Sequence, residues 1–324
     1  MLVLTRADLE RLLDPPSVID AVESAFREAA AGRVLGLPRS VLSMGKSGVF
    51  LGMISTLPRR HALGAKLITV IFGNRARGLP TVHAQYLLSD PETGRPLAFM
   101  EAGFLTAIRT GAASAVAARL LARAGASRLL CFGTSIQAEY QLRCLQAVLP
   151  VERVSVVGRD TGRAETFVSR MHGALGVPVA VALDRRIAVR EADLITCATT
   201  ASRPLFAGRD LQPGVHVDAV GAFRPHTREI DTDGVKRARV VVDTYEGAWE
   251  EAGDLLIPIK ARAISRRHVK AELGEVVSRK KPGRTSDREI TLFKSVGWAP
   301  EDAVTARLAY DRAMAHGAGT EVSL

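Results

Sequence analysis

The stretch Leu129–Gln141, LLCFGTSIQAEYQ, sets the reading of the chain. Arg128 to Phe132 is a short strand-like run, Gly133 breaks it, and a polar segment of helical character follows. Strand, glycine turn and helix start in that order resemble the phosphate-binding turn of a dinucleotide domain, written with one glycine where three are usual. There the first glycine makes the tight bend, the second lets the backbone approach a pyrophosphate, and the third allows close packing of helix on strand. Gly133 fills the first place, Ser135 the second, and Ala138 lies near the third. Serine is small, and its hydroxyl and N–H can both donate to a phosphate at a helix N-terminus, where the dipole also favours an anion. A plain turn opening a helix would read the same way, so this motif alone leaves both meanings open.

Downstream, VSVVGRDTGR ends with Gly158 where an NAD site usually puts an acid for the ribose hydroxyls, and Arg159 and Arg163 follow. A missing carboxylate beside arginines suits the 2′-phosphate of NADP, while Asp160 keeps NAD open. RLLCF, RVSVV, VPVAV, DLITC, HVDAV and RVVVD recur at the spacing of alternating strands and helices, which predicts a doubly wound parallel sheet. Thr199 and Thr200 follow the fourth of these strands, and Val220 and Gly221 end the fifth, where ligands of such sheets gather.

Upstream, FLTAIRTGAASAVAARLLARAG predicts a long helix capped by Thr106 and ended at Gly125. Before it stand LPRSVLSM, GVFLGMIST, GAKLITVIF, TVHAQYLLSD and RPLAFMEA, extended segments without long helices between them, which predict a mixed or antiparallel sheet. A first short strand, a helix capped by Thr5, and a second helix after Pro15 and Pro16 open the chain. Residues 299–317 form a last amphipathic helix, placed back against this first domain.

The 324 residues are 47% hydrophobic and 24% charged, which suits two globular cores. MLVLTRADLE lacks the pattern of a leader, and no uncharged apolar run approaches a membrane span, so a cytoplasmic protein that does not bind membranes is expected. Cys131, Cys144 and Cys197 have no metal-like spacing, and neither disulfide nor metal is expected. The net charge of +10 comes from arginines scattered over all segments, and aromatics make up only 5%, too few for stacking platforms, which argues against nucleic acid.

GLPTVHAQYLLSDPETGRPLAFMEAGFLTAIRTGAASA, GTSIQA and ELGEVVSRKKPGRTSDREITLFKSVGWAPEDA together resemble the ornithine cyclodeaminase and mu-crystallin family, over nearly the whole chain. The resemblance implies a Rossmann-type domain, here 118–298, and an α/β substrate-binding and dimerisation domain from both chain ends, 1–117 with 299–324. It implies NADP(H) or NAD(H) as cofactor, an amino or imino acid as substrate, and a homodimer. Arg39, Lys66 and Arg109 match the family's substrate-carboxylate and catalytic set, with Lys66 and Arg109 as the catalytic pair. A positive Arg109 near the third position of a helix after Thr106 opposes the dipole unless an anion compensates. An inward Lys66 in an apolar strand needs a partner, and desolvation would lower its pKa and suit it to proton transfer; an edge lysine facing water is the plain alternative. Thr81 and Gln85 are candidates to line the same pocket, and His83 reads as structural. For the cofactor the resemblance adds Thr110, Thr134, Ile136 and Gln137, together with Lys294, Ser295 and Gly297 of FKSVG, near the nicotinamide.

One segment departs from the pattern. Ornithine cyclodeaminases have an aspartate after the glycine and alanine of AVGAFRPHTREID, used with the substrate amine, and this chain has Phe223 there. An apolar ring neither accepts a proton nor pairs with an ammonium. Glu229 and Asp231 would replace it only if the loop folds back. The reading is therefore a reductase of cyclic imino acids such as pyrroline- or piperideine-2-carboxylate, with Phe223 in the substrate pocket. Ornithine cyclodeamination, alanine or opine-type dehydrogenation, and a cofactor-holding binding protein are the alternatives.

Overall fold

In the computed structural model, which describes residues 1–323 apart from the side chain of Arg75, the early elements start at residues suited to starting them. β1 (Leu2–Leu4) leads to α1 (Arg6–Leu12), where Thr5 and Asp8 form a reciprocal capping box that satisfies two N–H donors. Asp14 caps α2 (Pro15–Ala30), whose first turn takes Pro15 and Pro16, and Val18, Val22 and Phe26 bury one face. Then come β2 (Leu35–Gly36), β3 (Ser40–Ser43), β4 (Gly48–Leu57), β5 (Ala62–Ile71), β6 (Val82–Ser89) and β7 (Pro96–Glu101). β4 to β7 are an antiparallel meander, and β1 lies parallel to β7, so the sheet is mixed as expected.

α3 (Ala102–Leu121) begins four residues before Thr106. The cap is Glu101, whose carboxylate accepts from the Gly103 N–H at 2.6 Å and the Phe104 N–H at 2.9 Å. Thr106 therefore lies inside the helix, and Arg109 sits about two turns in, beyond reach of a first-turn dipole argument. α3 has the length and mean hydropathy of a membrane span, but it carries Arg109 and Arg119 and is largely buried, as a core helix is.

The following segment alternates strand and helix: β8 (Arg128–Phe132), α4 (Ile136–Gln146), β9 (Arg153–Val157), α5 (Thr161–Leu175), β10 (Val179–Val181), α6 (Arg185–Glu191), β11 (Leu194–Cys197) and β12 (His216–Ala219). After α7 (Thr232–Arg237) come β13 (Ala238–Val242), α8 (Tyr245–Glu251), α9 (Gly253–Lys260), β14 (Val269–Glu272), α10 (Leu273–Val277) and β15 (Ile290–Lys294). All pairings in this sheet are parallel, in the order β10-β9-β8-β11-β12-β15-β13-β14. Eight strands replace the six expected, because β14 and β15 add to the sheet and β15 inserts between β12 and β13. Apolar clusters fill both faces, which is why strands such as Val240–Val242 read as continuous apolar runs. All three cysteines are buried free thiols.

The chain ends with α11 (Ala299–His316), packed on α2, β4 and β5, and with β16 (Thr320–Glu321) antiparallel to β1. Two compact units result, Met1–Arg109 with Ala299–Leu324 and Thr110–Trp298. The division falls inside α3, earlier than the expected 117/118.

Candidate active site and dinucleotide groove

In the unit of both chain ends, Lys66 points inward from β5 opposite Tyr86 of β6 and Met53 of β4, and it is fully buried. Its partner is Asp302, in the first turn of α11: Nζ lies 2.7 Å from the carboxylate and also donates to Thr106 Oγ1 at 3.2 Å. Arg109 of α3 reaches the same carboxylate through Nε at 3.0 Å and Glu301 through Nη1 at 2.5 Å. Two cations and two carboxylates thus meet in the interior, each nearly or wholly removed from solvent. An isolated ion there would cost several kcal/mol, so the pairing is what makes the burial tolerable.

The pKa of Lys66 is lowered to about 7, mainly by burial and then by the charges of Arg109 and, more weakly, Arg39, while Asp302 opposes the fall. Burial also works against the charge on Arg109, but Asp302 and Glu301 outweigh it and keep the guanidinium ionised. The Tyr86 phenol is pushed well above its ordinary pKa, first by burial and then by Asp302. Lys66 is therefore poised to gain or lose a proton near neutrality while Arg109 stays a fixed cation.

The sequence reading brought Lys66 and Arg109 forward and missed Glu301, Asp302 and Tyr86. Arg39 stands just before β3, close enough for its charge to act on Lys66. Thr81 precedes β6, and its carbonyl accepts from the Ile71 N–H. Gln85 and His83 do not join Lys66: the pleat that points Tyr86 inward sends these neighbours to the opposite face. The anions beside Arg109 are Glu301 and Asp302, so the protein itself supplies the compensation sought from a substrate.

In the unit Thr110–Trp298, a groove of about 890 Å³ opens at the carboxyl ends of β8, β9 and β11. Gly133, Thr134 and Ser135 line it from the first turn, Arg159, Asp160 and Arg163 from the second, and Thr199 and Thr200 from the loop after β11. Gly133 has φ +121°, and a Cβ there would lie 2.5 Å from the Ala198 carbonyl oxygen, so only glycine allows this close turn. Ser135 is the N-cap of α4, with its hydroxyl facing the Ala138 N–H at 3.5 Å. Asp160 caps α5 by accepting from the Arg163 N–H at 2.8 Å, which commits one of its oxygens. Small turn residues, a helix start and arginines in one groove fit a dinucleotide.

Other cofactor candidates stand outside this groove's lining. Ile136 and Gln137 open α4, and Thr110 lies in α3 with its carbonyl accepting from Gln141. Ser295 and Gly297 belong to a turn gathered by Asp243, whose Oδ2 accepts from Ser295 Oγ, Val296 N–H and Gly297 N–H. Lys294 is buried in an ion pair with Asp254 at 3.0 Å. Val220 and Gly221 follow β12, and Phe223 is part-exposed beyond them, under the Arg224 guanidinium. Glu229 does fold back, but onto backbone and hydroxyl donors of Thr199, Gly221 and Ala222, and Asp231 caps α7. Neither replaces the aspartate absent at Phe223.

Known proteins match this arrangement over its whole length. The sequence profile of the Ornithine cyclodeaminase/mu-crystallin family matches residues 1–317. A Delta(1)-pyrroline-2-carboxylate reductase of Bacillus cereus is 38% identical over 324 residues, covering 99% of each chain. A solved structure of Thermococcus litoralis Delta(1)-pyrroline-2-carboxylate reductase with NADH and L-proline is 41% identical with a TM-score of 0.96, covering 99% of this chain and 100% of that one. An archaeal alanine dehydrogenase dimer with bound NAD is 33% identical with a TM-score of 0.94, covering 100% of this chain and 99% of that one. With its mixed and parallel sheets and these matches over its whole length, the chain belongs to the ornithine cyclodeaminase/mu-crystallin family.

Proposed function

We propose that this chain is an NAD(P)H-dependent reductase that converts cyclic imino acids, pyrroline- or piperideine-2-carboxylate, into L-proline or L-pipecolate. The observation that carries the reading is Lys66, buried between Asp302 and Arg109 with its pKa brought to about 7. A nicotinamide nucleotide, when bound, supplies the hydride for the imine carbon. Lys66 gives the nitrogen its proton in reduction and takes it back in oxidation, directly or through water. The charges of Lys66, Arg109, Glu301 and Asp302 balance when Lys66 is protonated, and the Arg39 charge acts on the same lysine. Arg109 spends Nε and Nη1 on the two acids, so a substrate carboxylate would take donors from Nη2.

Phe223 favours reduction over cyclodeamination, since that loop offers the substrate amine no carboxylate. NADP(H) is favoured over NAD(H): Gly158, just after β9, stands where an acid would meet ribose hydroxyls, and Arg159 and Arg163 line the groove beside it. The coenzymes of the two solved relatives keep NAD(H) in the comparison. Self-association is supported by the outer face of the first sheet, where Ile54, Ala65, Leu87 and Phe99 stand in register across β4 to β7 and three of them are 37–42% exposed. A cytoplasmic setting accords with three reduced thiols.

The test follows nicotinamide absorbance with NADPH and NADH against both imino acids, with ammonia release from L-ornithine plus NAD and NAD reduction by L-alanine in parallel. Coenzyme oxidation by an imino acid is expected. Ammonia from ornithine, or alanine oxidation without imine reduction, would replace this reading.

A further inference from the structure

We propose that Glu229 is a positioning residue that holds the loops after β11 and β12 in the shape the dinucleotide groove requires. The inference rests on the reading that this groove binds NAD(P)(H). Glu229 is fully buried and accepts four hydrogen bonds. Oε1 takes the Thr199 N–H at 2.9 Å and the Thr199 hydroxyl at 2.7 Å; Oε2 takes the Gly221 N–H at 2.8 Å and the Ala222 N–H at 3.2 Å. Thr199 lines the groove, and its Oγ1 accepts in turn from the Ala201 N–H at 3.1 Å. That orients the threonine hydroxyl as a donor toward Glu229.

The two loops are close as well as tied. A Cβ on Gly221 would lie 2.2 Å from the Thr199 carbonyl oxygen and 2.6 Å from Glu229 Oε1, so the loops can approach this closely only with glycine at that position. Behind it, Asp254 Oδ1 accepts from the Glu229 and Ile230 N–H groups at 2.8 Å each, and its other oxygen lies 3.0 Å from Lys294 Nζ. Lys294 donates to the carbonyls of Ala219 and Ala222 and so returns to the loop after β12. The chain of contacts joins β15 and the start of α9 to the groove wall, with Glu229 as the link that touches Thr199.

Every partner of Glu229 is a donor, so its carboxylate form is the one that fits. An amide in its place sets an NH2 against one of these donor pairs and leaves buried N–H groups without acceptors. A purely structural staple would lower stability without separating cofactor binding from substrate binding. A positioning residue weakens the coenzyme through Thr199 and leaves the imino acid alone.

The test compares Glu229→Gln, Thr199→Val, Thr199→Ser and the Glu229→Gln/Thr199→Val double variant in the full chain, with folding checked by circular dichroism. NADH and NADPH affinities are read from nicotinamide fluorescence, and the imino-acid KM is read at saturating coenzyme. Glu229→Gln should weaken both coenzymes about tenfold or more, on the scale of leaving buried N–H groups unpaired. The imino-acid KM should change by less than about twofold. Thr199→Val should weaken both coenzymes alone and add little in the Glu229→Gln background, since both remove one link. Unchanged coenzyme affinity in folded Glu229→Gln, or full additivity, would overturn the proposal. If Glu229→Gln does not fold, Thr199→Val decides: coenzyme affinity equal to that of Thr199→Ser refutes the link, and a loss confined to valine supports it. A wild-type chain that binds neither coenzyme would instead remove the cofactor reading beneath it.

Discussion

Replacing Asp302 with asparagine removes the anion that Lys66 and Arg109 share and keeps the side chain's shape. At the observed 2.7 Å, Coulomb attraction in an effective dielectric of about 20 is roughly 6 kcal/mol, an upper bound of about 4 pK units. Breaking a buried pair costs about 3 kcal/mol once hydration and relaxation are included, or about 2 units, and that is the better guide. The Lys66 pKa, already near 7, should then fall toward about 5, since Asp302 is the contact that raises it. Reduction uses the ammonium form, so kcat/KM for pyrroline-2-carboxylate should fall above pH 7 in the wild type and above about 5 in the variant. At pH 7, where half of the wild-type lysine is protonated, the variant should be about 50-fold slower, with the gap narrowing as the solution is acidified. Stability follows the same group. A lysine whose folded pKa is lowered contributes stability that is complete above 10.5 and lost as pH falls through about 7, and in the variant that loss extends further down. The assay is the pH dependence of NAD(P)H oxidation from pH 5 to 9, with thermal melts at each pH. Equal midpoints in the two profiles would refute the claim that Asp302 sets the proton affinity of Lys66.

Lys66→Met should cut imine reduction by about 10²–10⁴-fold with coenzyme affinity intact; full turnover would exclude Lys66 from proton transfer. Arg159→Ala with Arg163→Ala should weaken NADPH by about tenfold or more and leave NADH nearly unchanged, measured by nicotinamide fluorescence, and equal losses would refute the 2′-phosphate role. Leu87→Asp, on the outer face of the first sheet, should convert a dimer to a monomer in light scattering; an unchanged mass would show that this face is not the contact.

Local pattern was enough for much of this protein. The turn after Arg128–Phe132 is legible because a close strand–helix bend demands a residue without Cβ, and Gly133 bears that out with its positive φ and its contact with Ala198. The parallel sheet is legible because strands covered on both faces become continuous apolar runs. In the other sheet Lys66 stands out as the one charge within the apolar strand β5. Helix ends were less secure. A glutamate at the end of β7 caps α3, while Thr106 offered the more familiar capping chemistry and drew the cap five residues too late. Strand alternation alone would have separated Gln85 from Lys66, once register placed Tyr86 opposite the lysine.

What the tertiary structure decided lies in contacts between distant positions. Lys66 and Asp302 are 236 residues apart, and on an amphipathic helix two adjacent acids read as solvent-facing until β5 and α3 bring cations to them. Glu229 could stand in for the missing aspartate only if its loop folded back, and the fold does bring it back, onto four donors from two loops. The sequence by itself determined which residues are unusual for their segments, because propensity and burial pattern act over a few residues. Which buried charges meet was decided only by the tertiary fold, because desolvation must be offset by partners that chain neighbours do not supply.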